Sequence, residues 1–381
     1  MRYISLILLV ILFTSCAKNS VQYTPTSQSS SIVSFKRTKI QQQNIDIVNT
    51  QKINNSIPTV NNNTEIPSDI NISNQPDLNQ LALIIPSAQI GKYAKEAINI
   101  TNTYILYKNK PITLKVFDIS IQTKQTLQKV FNKIYDQHIT KVVAMLTIDK
   151  LNFLNNIDLK NIKIYLPLIN KNEVKSDIKL NLIFGAISYK DQFKKLIKYV
   201  KYKKIVNFYD NSSFGYELNN YMKQYKLRYS KKVDNNNRYY NKFLRGNRRL
   251  RGSNIFLNTP IVKSSILLSQ IDGYSIPISH ILSTQLNYTP LIFSLTQKSN
   301  RKLSIIIANS IGYIPPNLLE YSKLYNNHLQ YNWVNYSIIV GLEYLLEDNI
   351  NLFKDIKVID NQVIYPIYLY KVRYYSFKKI G

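Results

Sequence analysis

One cysteine, nine glycines and three histidines in 381 residues set the first limits on this chain. The lone thiol, Cys16, excludes a disulfide within the chain, so the fold has to stand on core packing. Nine glycines leave little material for a phosphate cradle, and neither Gly-x-Gly-x-x-Gly nor a phosphate-loop pattern occurs. His138, His280 and His328 are too few and too scattered for a zinc cluster, and His-Glu-x-x-His and Gly-x-Ser-x-Gly are missing as well. His280 stands near Ser279 and Ser283, yet no strand-turn-helix elbow presents either serine as a nucleophile. Neither catalysis nor a cofactor or metal is expected. Acid is scarce too, with 22 Asp and Glu against 50 Lys and Arg, a formal charge of +28. Part of that excess follows from a composition crowded with Asn, Lys, Ile and Tyr. The rest suits anionic surfaces such as phospholipid head groups or the cell wall.

What is present begins at the start of the chain. Met1-Arg2-Tyr3 gives a short basic opening, and Ile4 to Phe13 is an apolar run ahead of Thr14-Ser15-Cys16, the layout of a secretory signal over 1–15. Such a run is too short to cross a membrane, which needs roughly twenty apolar residues. Leu12-Phe13-Thr14-Ser15-Cys16 resembles a bacterial lipobox, which implies cleavage before Cys16 and a diacylglyceryl group on its sulfur. A chain exported in this way has a periplasmic, lipid-anchored location and no nucleic acid to meet. Ala17 and Lys18 follow the cysteine where an aspartate would favour the inner membrane, so the outer membrane is the expected anchor. Residues 16–80 are dominated by Gln, Asn, Ser and Thr with no sustained period, and read as a disordered tether. A flexible coil of about sixty residues has a typical reach of roughly 40 Å.

From Leu81 the character changes. Leu81 to Ile85, Thr113 to Asp118, Val142 to Leu146 and Ile162 to Leu166 are short apolar runs of the kind that form strands buried on both faces. Between them, Gly91 to Tyr107, Gln122 to Asp136 and Asp149 to Asn155 carry helical spacing. A second series follows, with strands at Lys204 to Tyr209, Asn254 to Asn258, Ile278 to Leu282 and Leu303 to Ala308 and helices at Tyr189 to Tyr202, Tyr216 to Tyr225, Val262 to Ile271 and Trp333 to Leu346. Two alternating series predict two α/β lobes, each a parallel sheet with helices on both faces. Arg238 to Arg251 reads as a mobile basic loop between strands. Asp136, Asp149 and Asp210 fall at element ends, where carboxylates cap helices.

The order and spacing of Leu81 to Gly91, Val116-Phe117-Asp118, Val142 to Thr147, Ile205 to Gly215, Ile281 to Gln285 and Trp333 to Leu346 resemble the type I periplasmic-binding-protein fold. Within it the chain is similar to the penicillin-binding-protein activator lipoproteins and the leucine/isoleucine/valine-binding proteins. The resemblance implies three crossings between lobes, near Ser188, Leu303 and Leu346. Lobe 1 would then hold 81–187 and 303–345, and lobe 2 188–302 and 346–381. Ligands of open α/β sheets bind at the carboxyl ends of strands, in the crevice between lobes. That nominates Ser87, Thr147 and Asn170 in the first lobe, with Asp210, Ser212, Thr259, Ser283 and Thr284 in the second. Asn258-Thr259-Pro260 lacks the carboxylate that meets an amino-acid ammonium in the binding relatives, and Met145-Leu146-Thr147 is bulky where a carboxylate would be cupped. Both departures favour contact with an envelope protein or cell-wall component; the alternative is a receptor that passes a small-molecule ligand to an ABC-type transporter.

Overall fold

The computed structural model of the chain describes residues 79–380, apart from 121–122, 155–156, 160, 176–180, 235–237 and 297–302. The expected signal peptide, Cys16 and all but the last two residues of the tether lie outside the described residues. Five strands open the fold: β1 (Gln80–Ile85), β2 (Thr113–Asp118), β3 (Lys141–Ala144), β4 (Lys163–Leu166) and β5 (Leu182–Phe184). Five more follow, β6 (Ile205–Asp210), β7 (Leu227–Val233), β8 (Asn254–Asn258), β9 (His280–Ser283) and β10 (Ile305–Asn309). Four short strands close it, β11 (Lys357–Ile359), β12 (Gln362–Ile364), β13 (Tyr368–Val372) and β14 (Phe377–Ile380). The longer helices are α1 (Lys92–Lys108), α2 (Lys124–Asp136), α3 (Tyr189–Tyr199), α4 (Ser213–Met222), α5 (Ile261–Gly273), α6 (Pro316–Leu324) and α7 (Trp333–Glu347).

The strands form two seven-stranded sheets, in the orders β11-β12-β5-β4-β3-β1-β2 and β14-β13-β10-β9-β8-β6-β7. Period-two alternation sorts each strand's side chains between layers. In β1, Ala82 and Ile84 face a layer with Leu127, Phe131 and Ile134 of α2, whereas Leu81, Leu83 and Ile85 face α1 and α7. In the second sheet, Val206, Phe208, Ile255 and Leu257 pack with Leu267, Leu268 and Ile271 of α5. Phe256, Leu282 and Ile306 turn the other way, toward Phe193 and Leu196 of α3. Helix starts are fixed by side-chain caps, which satisfy otherwise orphaned backbone N–H groups. Thr123 caps α2, Ser188 α3, Ser212 α4 and Asn332 α7. No helix among the described residues is long and apolar enough to cross a membrane.

Three features differ from the expectation. The sheets are mixed, because β11 pairs antiparallel with β12, β13 with β10, and β14 with β13. The connections β11–β12 and β13–β14 are too short for a parallel crossover, whereas β13 returns to β10 after the chain has passed through the first lobe. Asp360 and Asn361, at φ 48° and 62°, make the two-residue turn of β11 and β12, a left-handed pair that matches hairpin twist. The lobe boundaries also move. The chain passes from β5 in the first sheet to β6 in the second, but β10 still belongs to the second sheet, so the return expected at Leu303 falls after Asn309. Likewise β11 and β12 extend the first sheet, and the last crossing expected at Leu346 lies between Ile364 and Tyr368. Finally, the basic stretch Arg238 to Arg251 is not a mobile loop. Tyr240, Leu244 and Leu250 are buried in the second-lobe core, and Gln270 accepts from the Tyr240 N–H at 2.8 Å and donates to the Arg238 carbonyl at 2.7 Å.

At the last crossing the chain is held from both sides. The Tyr365 hydroxyl donates to the Gly185 carbonyl at 2.8 Å, and Ser337 of α7 donates to the same oxygen at 2.8 Å. The Tyr165 hydroxyl joins them, 3.0 Å from Ser337 Oγ and 3.3 Å from the Tyr365 oxygen. Burial raises the Tyr165 phenol to about 12, so it stays protonated and able to donate. Two residues further on, the Ile367 carbonyl accepts from Lys195 of α3.

Candidate functional site

The parallel register of each sheet brings the carboxyl ends of its strands to one edge, where the sequence-nominated residues lie. All but Thr284 are engaged within their own lobe. Ser87, after β1, donates its backbone N–H to Asp118 Oδ1 at 3.1 Å and its hydroxyl to the other carboxylate oxygen. Thr147 donates to Asp149 Oδ1 at 2.5 Å. That bond, with Lys150 beside it, holds the Asp149 carboxyl below its ordinary range. Asn170 is buried, accepting from the Asn172 N–H and donating to the Ala186 carbonyl, each at 3.1 Å. In the second lobe, Asp210 accepts from the Ser212 hydroxyl at 2.6 Å while Ser212 caps α4 through the Gly215 N–H at 2.9 Å. Thr259 shares a hydrogen bond of 2.8 Å with Ser264, and Ser283 donates to the Leu257 carbonyl at 3.0 Å. Asn287 draws these together, its amide lying 3.2 Å from the Thr259 carbonyl and 2.8 Å from Ser283 Oγ. The Thr284 hydroxyl is buried without a partner. The residues thus share strand ends but form local caps and braces.

Contacts that span the lobes come from residues outside that set, and one of them is the Tyr368 hydroxyl, which donates to Asp355 Oδ2 at 2.9 Å. Tyr221, on α4 of the second lobe, places its hydroxyl 2.8 Å from Oε1 of Glu173, in the turn after β4, and 2.6 Å from Oε1 of Glu217. A phenol has one hydrogen to donate, so both carboxylates compete for it. Burial pushes the Glu173 carboxyl up, the Tyr221 bond opposes this, and the Glu217 charge adds to the rise. Burial and the two carboxylates together raise the Tyr221 phenol. Beside this clasp lies a concavity of about 370 Å³ lined by Ile148, Leu151, Asn152, Glu173, Val174 and Lys175 of the first lobe. A second one, about 430 Å³, sits at the crossings and is lined by residues such as Tyr313, Tyr336, Phe353 and Asp355. Glu217 and Tyr221 stand four apart on one helix face, a spacing legible in the sequence. Glu173 carries no comparable mark, because its partner is 48 residues away.

The clasp has a pH signature. A carboxyl raised by folding contributes stability that is full below its unfolded value, near 4.3, and is lost as pH rises through its folded value. Glu173→Gln mimics the protonated form. It is expected to melt with the parent protein at pH 3.5 and above it at pH 7.5; equal melting temperatures at both values would remove Glu173 from the clasp.

Among the described residues no group of three or more His, Cys, Asp or Glu is placed to hold a metal ion. Two mixed sheets of seven strands, helices against each, three crossings and a strand-end cleft define a two-lobed type I periplasmic-binding-protein fold. Solved structures agree. A protein described as a branched-chain amino acid ABC transporter from Rhodospirillum rubrum matches with a TM-score of 0.60 at 10% identity, over 79% of this chain and 99% of that one. LpoA from Haemophilus influenzae, the penicillin-binding-protein activator, matches with a TM-score of 0.57 at 11% identity, over 80% of this chain. The match spans only 59% of LpoA. The branched-chain amino acid transporter substrate binding protein LivJ from Streptococcus pneumoniae, in complex with isoleucine, gives 0.53 at 12% identity, over 79% and 99% of the two chains. No protein-family model matches the sequence, and no curated protein matches it. At these identities the likeness is one of fold.

Proposed function

We propose that this chain is a non-enzymatic envelope lipoprotein, anchored through a diacylglyceryl group on Cys16, whose two lobes serve as a protein-interaction or regulatory module. The observation that carries the reading is the state of the strand ends. Ser87, Thr147, Asn170, Asp210, Ser212, Thr259 and Ser283 are taken up by their own lobes, and Tyr221 ties the second lobe to Glu173 of the first. A small polar ligand would have to displace those bonds, whereas an outer surface needs no such rearrangement. The likeness to LpoA supports cell-wall synthase activation as the form of that regulation. The periplasmic face of the outer membrane is the proposed location, on the strength of the residues around Cys16.

A second reading, a lipid-anchored solute receptor of an ABC-type transporter, is favoured by one observation. Asn258 Oδ1, Thr284 Oγ1, Gln285 Nε2 and Asn287 Oδ1 are buried without hydrogen-bond partners, and all lie at the carboxyl ends of β8 and β9. Buried polar atoms without partners are uncommon and mark places where another molecule completes the network. Melting curves with amino acids, short peptides and wall fragments separate the two. The interaction module predicts no shift and, in cross-linked envelopes, recovery of a wall-synthesis enzyme. A solute receptor predicts a rise with one small ligand, since binding to the native state alone adds stability. The anchor is read separately: in high-salt buffer, which removes electrostatic attachment, Cys16→Ser should leave the membrane fraction while the parent protein stays in it.

A further inference from the structure

The charge of the chain is divided unevenly between its lobes. Residues 188–309 and 365–381, which build the second sheet and its helices, carry 26 Lys and Arg against five Asp and Glu. Residues 79–187 and 310–364 carry 18 against 13. Within the second lobe the acids stay largely near the cleft. Asp210 is the last residue of β6 and Asp234 follows β7, while Asp191 and Glu217 lie in the first half of α3 and α4. Asp272, at the end of α5, is the exception.

Eight of the bases lie together at the opposite edge, where β6 to β10 begin. Lys201, Lys203 and Lys204 form the exposed turn ahead of β6. Lys226 and Arg228 open β7, and exposed Arg248, Arg249 and Arg251 precede β8. Strand register places Ile205 beside Leu227 and Asn254, so these turns are neighbours. Their polar contacts confirm it. The Arg228 guanidinium donates to the Arg251 and Arg248 carbonyls at 3.4 Å, Asn254 N donates to the Lys204 carbonyl at 3.0 Å, and Arg249 lies 5.7 Å from the Tyr229 ring centre. Tyrosines are set among the bases on the same edge. Tyr199 packs edge-on to His280 at the start of β9, Tyr202 is 58% exposed, and Tyr374 and Tyr375 form the turn between β13 and β14 with exposures of 55% and 73%.

The turn ahead of β6 is also strained. Lys201, Tyr202 and Lys204 all have positive φ, at 54°, 59° and 45°. The left-handed region costs a residue with a Cβ roughly 1 kcal/mol or more, and such strain persists where the surroundings impose it. Lys201 and Tyr202 close α3, their N–H groups donating to the Lys198 and Ile197 carbonyls at 3.0 Å, and both side chains are exposed. Neither concavity of the cleft and crossings is lined by these residues.

We infer that this edge of the second lobe is a docking surface for an anionic phospholipid bilayer. Ammonium and guanidinium groups meet the head-group phosphates, and tyrosine rings sit at the level of the glycerol esters with their hydroxyls toward water. The inference stands apart from the lipid on Cys16 and from the choice between the two functions above.

The test uses the full chain carrying Cys16→Ser, so that the acyl anchor cannot mask the edge, with vesicles of phosphatidylcholine containing none or one third phosphatidylglycerol. Expected are sedimentation with the anionic vesicles only and release at high salt. Neutralising Lys203, Arg248 and Arg249 to Gln should weaken binding roughly 100-fold, about fivefold for each charge. Neutralising Lys124, Lys129 and Lys133 on α2 of the first lobe, outside this edge, should leave it within about threefold. Equal binding to neutral vesicles, or unchanged binding by the first triple variant with an unaltered melting curve, would overturn the inference. So would displacement from vesicles by a nucleic-acid duplex or an acidic glycan at phosphate or carboxylate concentrations well below that of the lipid.

Discussion

Gly341→Ala is expected to destabilise the first lobe by about 3 kcal/mol or more, the upper range for overpacking a tight core. A Cβ at Gly341 would lie 2.2 Å from Cδ1 and Cε1 of Tyr165, well inside contact distance. The ring is also held at its hydroxyl: a Cβ at Gly185 would meet that oxygen at 2.1 Å, and it is hydrogen-bonded to Ser337 and Tyr365. Two glycines therefore make room for one aromatic side chain where α7 crosses β4. Tyr165→Leu removes the obstructing ring and should return part of the loss when combined with Gly341→Ala, a non-additivity expected of residues in contact. Gly273→Ala is the matched control: a Cβ there meets nothing within 4 Å, and the change should be neutral or stabilising by up to about 1 kcal/mol. Denaturant midpoints of the four variants check the scheme; strict additivity would mean the clash is relieved elsewhere.

Lys108→Met is the second large effect, expected to cost about 3 kcal/mol. The Glu343 side chain is 1% exposed, yet it lies in α7 against α1, where Tyr104 donates to it at 2.5 Å and the Lys108 ammonium approaches to 3.0 Å. The Leu352 N–H is its third donor, at 3.3 Å. Losing the cation leaves a carboxylate in the core without its counter-charge, which is the expensive way to break a buried pair. Removing both charges, as Lys108→Met with Glu343→Leu, should recover most of the loss. Burial alone would lower the Lys108 ammonium; the Glu343 and Glu347 carboxylates reverse this and hold it above its ordinary value. Its contribution is therefore full below about pH 10.5 and lost only as pH rises through the folded value. A double-mutant cycle at pH 7 measures the coupling, and a double variant no more stable than Lys108→Met would refute the pairing.

What the sequence revealed follows burial. β1, β3, β4, β6 and β8 to β10 are apolar runs buried on both faces, and such strands announce themselves. β7, Leu-Arg-Tyr-Ser-Lys-Lys-Val, is an edge strand with four of its seven side chains exposed, so it reads as part of a basic connection. β11 and β12 are three residues each, too short for any period to show. The crossings were misplaced for a different reason: β10 is as apolar as a first-lobe strand, and nothing within Ile305 to Asn309 says which sheet it joins. Arg238 to Arg251 looked mobile because its bases outnumber Tyr240, Leu244 and Leu250, the three residues that fasten it. The nominated polar residues lie at or shortly after strand ends. Their hydrogen-bond partners came from nearby turns, and the Glu173–Tyr221 bond depended on how two lobes meet.

The last crossing bears on how far the lobes can travel. Tyr365 is tied to the first lobe, and β13 of the second begins at Tyr368, which leaves Pro366 and Ile367 as the whole length of chain between fixtures. Proline holds its own φ near −65°, and the Ile367 carbonyl is itself taken by Lys195. A link so short and so stiff behaves as an axle and not as a slack cord: it permits rotation about itself while forbidding the lobes to slide or part. Any partner that grips both lobes would feel a change of angle at a fixed spacing.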